Sequence, residues 1–380
     1  MKIGIDARLL ERNMTGIGRY LENVVKNIYS FDKKNEYVLF TYKKFPKFKE
    51  TNVQNVSTMD IGASSMVTKI KSALWLHLVL PFFLKKEKID IFFSPNTLLP
   101  FFKTTKKNVV TVHDVFHLVN PKFHSFFYRV YVSLFLSRSV KSADLVFTVS
   151  NASKKDIVNF LKIKEEKIVV AYLAADSRFI PRSLSLEDRH FYTEKYKLPD
   201  RFVLYLGVLE ERKNIEGIIK IADELLGKTD IPIVLAGKVG HGGEKYLKEI
   251  EKRKNIFYCG FFDDVDLPYI YNIADIFLFP SYYEGFGLPP LEAMKSGVPV
   301  ITSNTSSLPE VVGEGGILLD PNDHKSFVKA IMLLQFNPRE RTRLIEEGIK
   351  QAEKFDFMRT ARMTIEALNS LCYNHPHDAE

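Results

Sequence analysis

The chain has 380 residues, 46% hydrophobic and 26% charged, enough for two domains with sizeable cores. Two cysteines, Cys259 and Cys372, are too few for a disulfide framework, so a reducing cytoplasm is the expected setting. The net charge of +8 is uneven: residues 1–180 hold 29 Lys and Arg against 15 Asp and Glu, and the remainder hold 25 against 31. The basic first part predicts an anionic partner (a membrane surface, a lipid pyrophosphate or nucleic acid), unless it is simply a solvated face.

A first strand is expected over residues 2–7, with Asp6 and Arg8 where an export signal would need unbroken apolar sequence. Gly16-Ile-Gly18-Arg19 then leads into a helix from Tyr20. Strand, glycine turn and helix open a Rossmann-like unit, but Leu21 stands where the dinucleotide fingerprint needs its third glycine. Gly16 and Gly18 read instead as a loop that brings backbone N–H groups near a phosphate; a plain strand-to-helix turn is the alternative. A strand over 37–42 and a lysine-rich loop follow. The stretch 69–86 (KIKSALWLHLVLPFFLKK) holds the sole tryptophan and is apolar at nearly every position from 73 to 84. No run in the chain approaches the roughly 18 apolar residues that span a membrane. An interfacial helix is one reading of 69–86, but Pro81 and the missing polar stripe favour a buried or cleft-lining helix.

Strands over 89–94 and 109–112 end at Pro95-Asn96 and His113-Asp114. Open α/β sheets bind ligands at the carboxyl ends of their strands. His113 alone of nine histidines has that context and could polarise a group or accept a proton; a structural histidine is the alternative. An aromatic, basic helix (124–142), a strand (144–150), a helix capped at Ser150–Ser153 and a strand (168–172) complete a first domain, 1–182. The polar, proline-bounded residues 183–200 read as a linker. Aromatics lie mostly in apolar runs rather than between exposed cations, which argues against a nucleic-acid binder.

The second domain, 201–355, opens with a strand ending at Gly207, followed by Arg212 and Lys213 at a helix start. Two cations there oppose the helix dipole, a mismatch that favours an anionic ligand such as a diphosphate. Strands over 233–237 and 256–260 follow, the latter ending at Phe261-Phe262. Residues 275–300 (DIFLFPSYYEGFGLPPLEAMKSGVPV) read as a buried strand, then a turn with Glu284, Gly285, Phe286 and Gly287. A helix opens at Leu288 with two prolines and stops at Gly297. The N–H groups of Gly287, Leu288 and Leu291 would suit phosphate or sugar oxygens. Glu284 and Glu292 can reach the same side of that pocket, and carboxylates accept hydrogen bonds from vicinal diols. Phosphate site and paired acids together point to a nucleotide sugar; a capping glutamate plus a surface glutamate is the open alternative. A last strand (315–320), two helices and a terminal helix (356–373) end the chain.

The run YEGFGLPPLEAMKSGVPVITSN, with SSLPEVVGEGG and LLDPND after it and LGVLEERKN before it, resembles the donor site of retaining glycosyltransferases of family four, the bacterial mannosyltransferase-like branch. The resemblance implies an α/β fold of the GT-B type: two Rossmann-like βαβ domains facing across a cleft, with the terminal helix crossing back to the N-terminal domain. It implies a hexosyltransferase with His113, Asp114, Arg212, Lys213 and Glu284 as catalytic residues. It further implies a donor site at Gly16, Gly18, Gly207, Phe261, Gly285, Phe286, Gly287, Leu288 and Glu292. By the same resemblance the acceptor attacks from the leaving-group face, no metal or other cofactor is required, and GDP-mannose is the first choice of donor, ahead of UDP-hexoses. Val208 departs from branches that place an arginine directly after the glycine, so that cationic role would fall to Arg212. The basic N-terminal domain fits a saccharide or lipid-linked acceptor in surface-polysaccharide assembly, with peripheral contact at an anionic inner membrane face. A nucleotide-sugar epimerase and an inactive nucleotide-sugar-binding homologue are the alternatives.

Overall fold

The computed structural model describes residues 1–11, 16–42, 53–58, 71–121, 126–240 and 242–373. They form two compact α/β units. Met1–Leu173 and the chain from Phe357 onward make the first, and Ala174–Asp356 the second.

In the first unit the strands are β1 (Lys2–Asp6), β2 (Glu36–Thr41), β3 (Val53–Ser57), β4 (Ile91–Ser94), β5 (Lys107–Thr111), β6 (Leu145–Thr148) and β7 (Ile168–Val170). They pair in parallel in the order β3-β2-β1-β4-β5-β6-β7. Strands such as IFFS and LVFT are buried throughout, as apolar runs covered on both faces must be. The helix Gly16–Phe31 begins earlier than expected, so Gly16 and Gly18 lie in its first turn rather than in a loop. Ser150 alone caps the helix Asn151–Leu161, accepting from Ser153 N, while Ser153 Oγ donates to the His113 carbonyl. The edge strand β3 (VQNVS) has too little apolar character to stand out in sequence.

The apolar stretch 69–86 departs from expectation. Its described part is helical from 71, with a π-helical turn at Trp75–Val79 and an α-helix at Leu80–Lys86. Trp75, Leu76, Leu80 and Leu84 are buried, but Leu74, Leu78 and Phe82 are exposed. It is therefore buried on one side only. Trp75 packs under the Arg8 guanidinium at 4.0 Å. Arg8 is itself buried, donating to both Asp6 carboxylate oxygens (2.8 and 2.7 Å) and to Tyr42 Oη and Ser72 Oγ (2.9 Å each). A buried charge pair persists only when its hydrogen-bonding capacity is met in this way.

The second unit holds β8 (Val203–Leu206), β9 (Ile233–Ala236), β10 (Ile256–Tyr258), β11 (Ile276–Phe279), β12 (Val300–Ser303) and β13 (Gly316–Leu319), all parallel, in the order β10-β9-β8-β11-β12-β13. Sequence order reverses between β8 and β11, which makes their carboxyl ends a topological switch point, the usual ligand site of such sheets. On the other side of β8, close approach fixes Gly237 just past β9. Its φ is +132°, and a Cβ would stand 2.0 Å from the Gly207 carbonyl oxygen.

The expected linker, 183–200, is a correction. It forms the helix Leu186–Tyr196, capped by Ser185 and tied to the second unit through Lys195 Nζ on Asp266 (2.6 Å) and Tyr192 stacked on Tyr269 (5.0 Å between centroids). The chain passes between units at Leu173–Ala174, ahead of the expected boundary at 182. Polar composition misled here because the helix is mostly solvent-facing yet anchored by a few long-range contacts. The terminal helix Phe357–Tyr373 belongs to the first unit, where Thr360 Oγ1 donates to the Tyr172 carbonyl (2.6 Å) and Asn35 Nδ2 to Asn369 Oδ1 (3.0 Å).

Candidate functional site

Two loops meet at the switch point of the second sheet. β8 runs through Gly207 to a 3-10 turn, Glu211–Lys213, and the helix Ile215–Leu225. Asn214 (φ +58°) caps that helix by accepting from Gly217 N and donates Nδ2 to the Pro321 carbonyl. β11 runs to Ser281, Glu284 and the helix Leu288–Lys295. Lys213 Nζ donates to Glu284 Oε1 at 2.5 Å, and Arg212 Nη1 donates to Oε2 at 3.3 Å and to the Tyr283 carbonyl at 3.0 Å. Arg212 also grips Glu210, Nη2 to Oε1 at 2.8 Å. Arg212, Lys213 and Glu284 are thus one cluster.

Burial alone would push the Glu284 carboxyl up. Lys213 and Arg212 override it and hold the group below the ordinary glutamate range. Burial lowers the Lys213 ammonium, with Glu284 pulling the other way. Three serines absent from the sequence-derived site hold the Glu284 carboxylate and the backbone of its turn. Ser281 Oγ donates to Oε1 (2.6 Å), Ser306 Oγ accepts from Glu284 N (2.8 Å), and Ser307 Oγ donates to the Glu284 and Phe286 carbonyls (2.9 and 2.6 Å). The signal for Ser306 and Ser307 lay in SSLPE, which otherwise reads as a helix start, and Ser281 directly follows Pro280 at the end of the β11 run.

Gly287 takes φ +113° as the residue before the helix, and a Cβ there would meet Leu308 Cδ2 at 2.9 Å. Pro289 and Pro290 have no N–H, and Leu291 N closes on the Gly287 carbonyl at 3.3 Å, so Leu291 is not an open donor as expected. Among the described residues, Gly287 and Leu288 keep N–H groups with no protein acceptor. The Phe286 ring is core, edge-on to Phe355. Glu292 is buried rather than a surface residue, and it takes its own partner, Tyr271 Oη, which donates to Oε2 at 3.0 Å. Tyr271 was invisible as a site residue because it lies 21 positions away. Phe261, just past β10, is 74% exposed, whereas Phe262 is buried.

In the first unit His113 follows β5. Its Nε2 lies 3.0 Å from the Pro95 carbonyl, which can only accept, so Nε2 carries the proton and Nδ1 has the free lone pair. Burial lowers its pKa, against the raising effects of Pro95 and Asp114. Tyr20, from the helix that Gly16 and Gly18 begin, packs edge-on to the imidazole at 5.4 Å. Asp114 Oδ1 accepts from Phe116 N at 3.0 Å, opening the short helix Phe116–Val119. The Arg19 side chain lies outside the described residues. Among those residues, no group of three or more His, Cys, Asp or Glu could hold a metal ion, and no helix is long and apolar enough to cross a membrane.

Two doubly wound parallel units in one chain are the architecture of GT-B glycosyltransferases. It is shared with a sucrose-phosphate synthase from Thermosynechococcus elongatus (TM-score 0.76, 17% identity, 98% of this chain and 99% of that one). WaaG, a glycosyltransferase involved in lipopolysaccharide biosynthesis, is similar too (TM-score 0.73, 14% identity, 97% and 99%). Residues 14–179 match Glycosyltransferase Family 4, and residues 188–351 match Glycosyl transferases group 1. An O-antigen chain mannosyltransferase B from Escherichia coli is 32% identical over 98% of this chain and all of its own length. The chain belongs to the family-four glycosyltransferases, in their mannosyltransferase-like branch.

Proposed function

We propose that the chain transfers a mannosyl group from a nucleotide diphosphate sugar, GDP-mannose first, to a saccharide or lipid-linked acceptor in surface-polysaccharide synthesis, with retention of configuration. The observation that carries the donor site is the Arg212–Lys213–Glu284 cluster beside the Gly287–Leu288 amides. Cations and amides aimed at one place stabilise charge developing on a leaving phosphate. Glu284, held ionised, orients Lys213, and Glu292 accepts hydroxyls while Tyr271 fixes its rotamer. The bond from the anomeric carbon to the phosphate oxygen breaks as the acceptor oxygen bonds to that carbon on the same face. The acceptor proton passes to the departing phosphate. His113, whose Nδ1 lone pair is free, contributes a hydrogen-bond acceptor for a sugar hydroxyl. The mannosyl assignment rests on the E. coli relative's name.

Thermal melting with GDP-mannose and UDP-hexoses tests this. Saturation about 100-fold above Kd should stabilise the native state by about 2.7 kcal/mol. Glu292→Ala and Lys213→Ala should each lose that shift, measured from their own baselines because Lys213→Ala strands the Glu284 charge. The reading fails if millimolar nucleotide sugars and free nucleoside diphosphates all leave the wild-type melt unmoved.

A further inference from the structure

A cavity of about 340 Å³ opens at the opposite end of the second sheet from the Arg212–Lys213–Glu284 cluster. Its walls come from Arg201 ahead of β8, from Lys228, Thr229, Asp230 and Ile231 ahead of β9, and from Gln335 and Phe336 at the end of the helix His324–Phe336. The strands are parallel, so the segments ahead of β8 and β9 share the amino edge. The cavity therefore lies at least a strand length from the donor cluster, about 13 Å for four residues. Its volume is that of a small-molecule site. Thr229 Oγ1 accepts from Ile231 N at 3.3 Å and donates to Gln335 Oε1 at 2.5 Å. This fixes the amide and leaves Gln335 Nε2 as a donor with no acceptor among the described residues. The Lys228 ammonium and the Asp230 carboxylate have no partner among them either.

The charges of the lining cancel. Arg201 gives Nε and Nη2 to Asp275 Oδ1 (3.1 and 3.0 Å), and Lys228 and Asp230 are of opposite sign. Arg341 also faces Asp275 but does not line the cavity. An anionic ligand would meet the unpaired Asp230 carboxylate. A neutral ligand that both donates and accepts satisfies the whole set: Asp230 takes two hydroxyls, while Gln335 and Lys228 donate. Phe336, 65% exposed, adds a ring whose negative face attracts CH groups. Leu333, 42% exposed and three residues earlier on the same side of the helix, continues that apolar platform. Hydroxyls at the edge and CH groups on the face describe a sugar ring, and a platform one helical turn long suits more than one ring. We propose that the cavity is a second saccharide site, which holds a neutral, mannose-containing segment of the acceptor or product chain away from the place of transfer. That the sugar is mannose rests on the transfer proposed above; that it is a saccharide rests on the lining.

Phe336→Trp keeps an aromatic platform and puts a fluorophore in the cavity, while Trp75, the sole native tryptophan, lies in the other unit as background. The full chain would be titrated with α-linked mannotetraose. The variant should show a saturable emission change beyond any given by Trp75 in wild type. Asp230→Asn in the same background should weaken that response about tenfold, as loss of hydrogen bonds to a charged group does. Inorganic phosphate should give no response, and the melting shift with GDP-mannose should be unchanged in both variants. If the larger ring fills the cavity, calorimetric titration of wild type against Phe336→Ala reads the same loss of affinity. A response to phosphate but not to mannotetraose assigns the cavity to an anion and overturns the proposal, as does an Asp230→Asn variant that responds undiminished. A flat titration overturns it even where GDP-mannose still raises the melt, and a saturable one carries it even where GDP-mannose does not.

Discussion

His113 is held neutral by burial, and this has a pH consequence. The unfolded chain takes up its proton near the ordinary value of 6.5, before the folded one does. The stability involved is intact above that pH and is lost as pH falls through 6.5 towards the lowered folded value. His77, also lowered by burial and then by Arg8 and Arg138, adds to the same window. His113→Asn should therefore flatten part of the fall in melting temperature between about pH 7 and 5, and adding His77→Asn should flatten more. An unchanged slope in the single variant would contradict the burial argument. Glu284 works in a lower range: its stabilisation, present above 4.5, is lost as pH falls below that. At this scale the sequence was legible where a residue's place follows from adjacent chain, as with Arg212, Lys213 and Glu284, which lie in the loops after β8 and β11. It was opaque for Arg8, whose partners Tyr42 and Ser72 lie 34 and 64 positions away. Burial of a charge has no local signature.

The turn before the helix Leu288–Lys295 depends on one backbone conformation. Gly287→Ala must adopt φ +113° and displace Leu308, at a cost of about 1–3 kcal/mol. We expect a lower melting temperature and a weaker nucleotide-sugar shift, since the Leu288 amide moves with the turn. A variant that melts and responds like wild type would mean that the turn does not set the donor site. Element types were readable wherever an apolar run met a glycine or proline, which is how β8, β11 and the helix between β11 and β12 appear in sequence. β12 was missed because its four residues follow Pro299 directly and merge with the helix end. The helix Leu186–Tyr196 was missed because charge dominates it and Thr193 is its one buried residue.

The chain leaves the first unit at Leu173 and returns at Phe357. The returning helix contributes buried Ala361, Thr364 and Leu368 to the first unit, packing against the helix Gly16–Phe31. Deleting residues 357–380 should lower the melt of the first unit. The transition of the second unit should persist and still rise with GDP-mannose. Scanning calorimetry would resolve the two, and a truncated protein whose first unit melts unchanged would show that the returning helix contributes little. Two successive βα units were legible from the order of strands, glycines and helices; the place of crossing was not, because nothing local distinguishes Leu173–Ala174 from the chain around it.

The same double crossing sets an order on biosynthesis. A ribosome delivers Met1–Leu173 first, but the closing helix of that unit, Phe357–Tyr373, is made only after the whole of the second unit. The second unit can complete its own sheet while the first still waits for its closing helix, with the apolar face of Gly16–Phe31 uncovered. N-terminal-first folding, the usual course for multidomain chains, is thereby inverted. Stalling or termination just before residue 357 would release a chain with an intact second unit and an aggregation-prone first one.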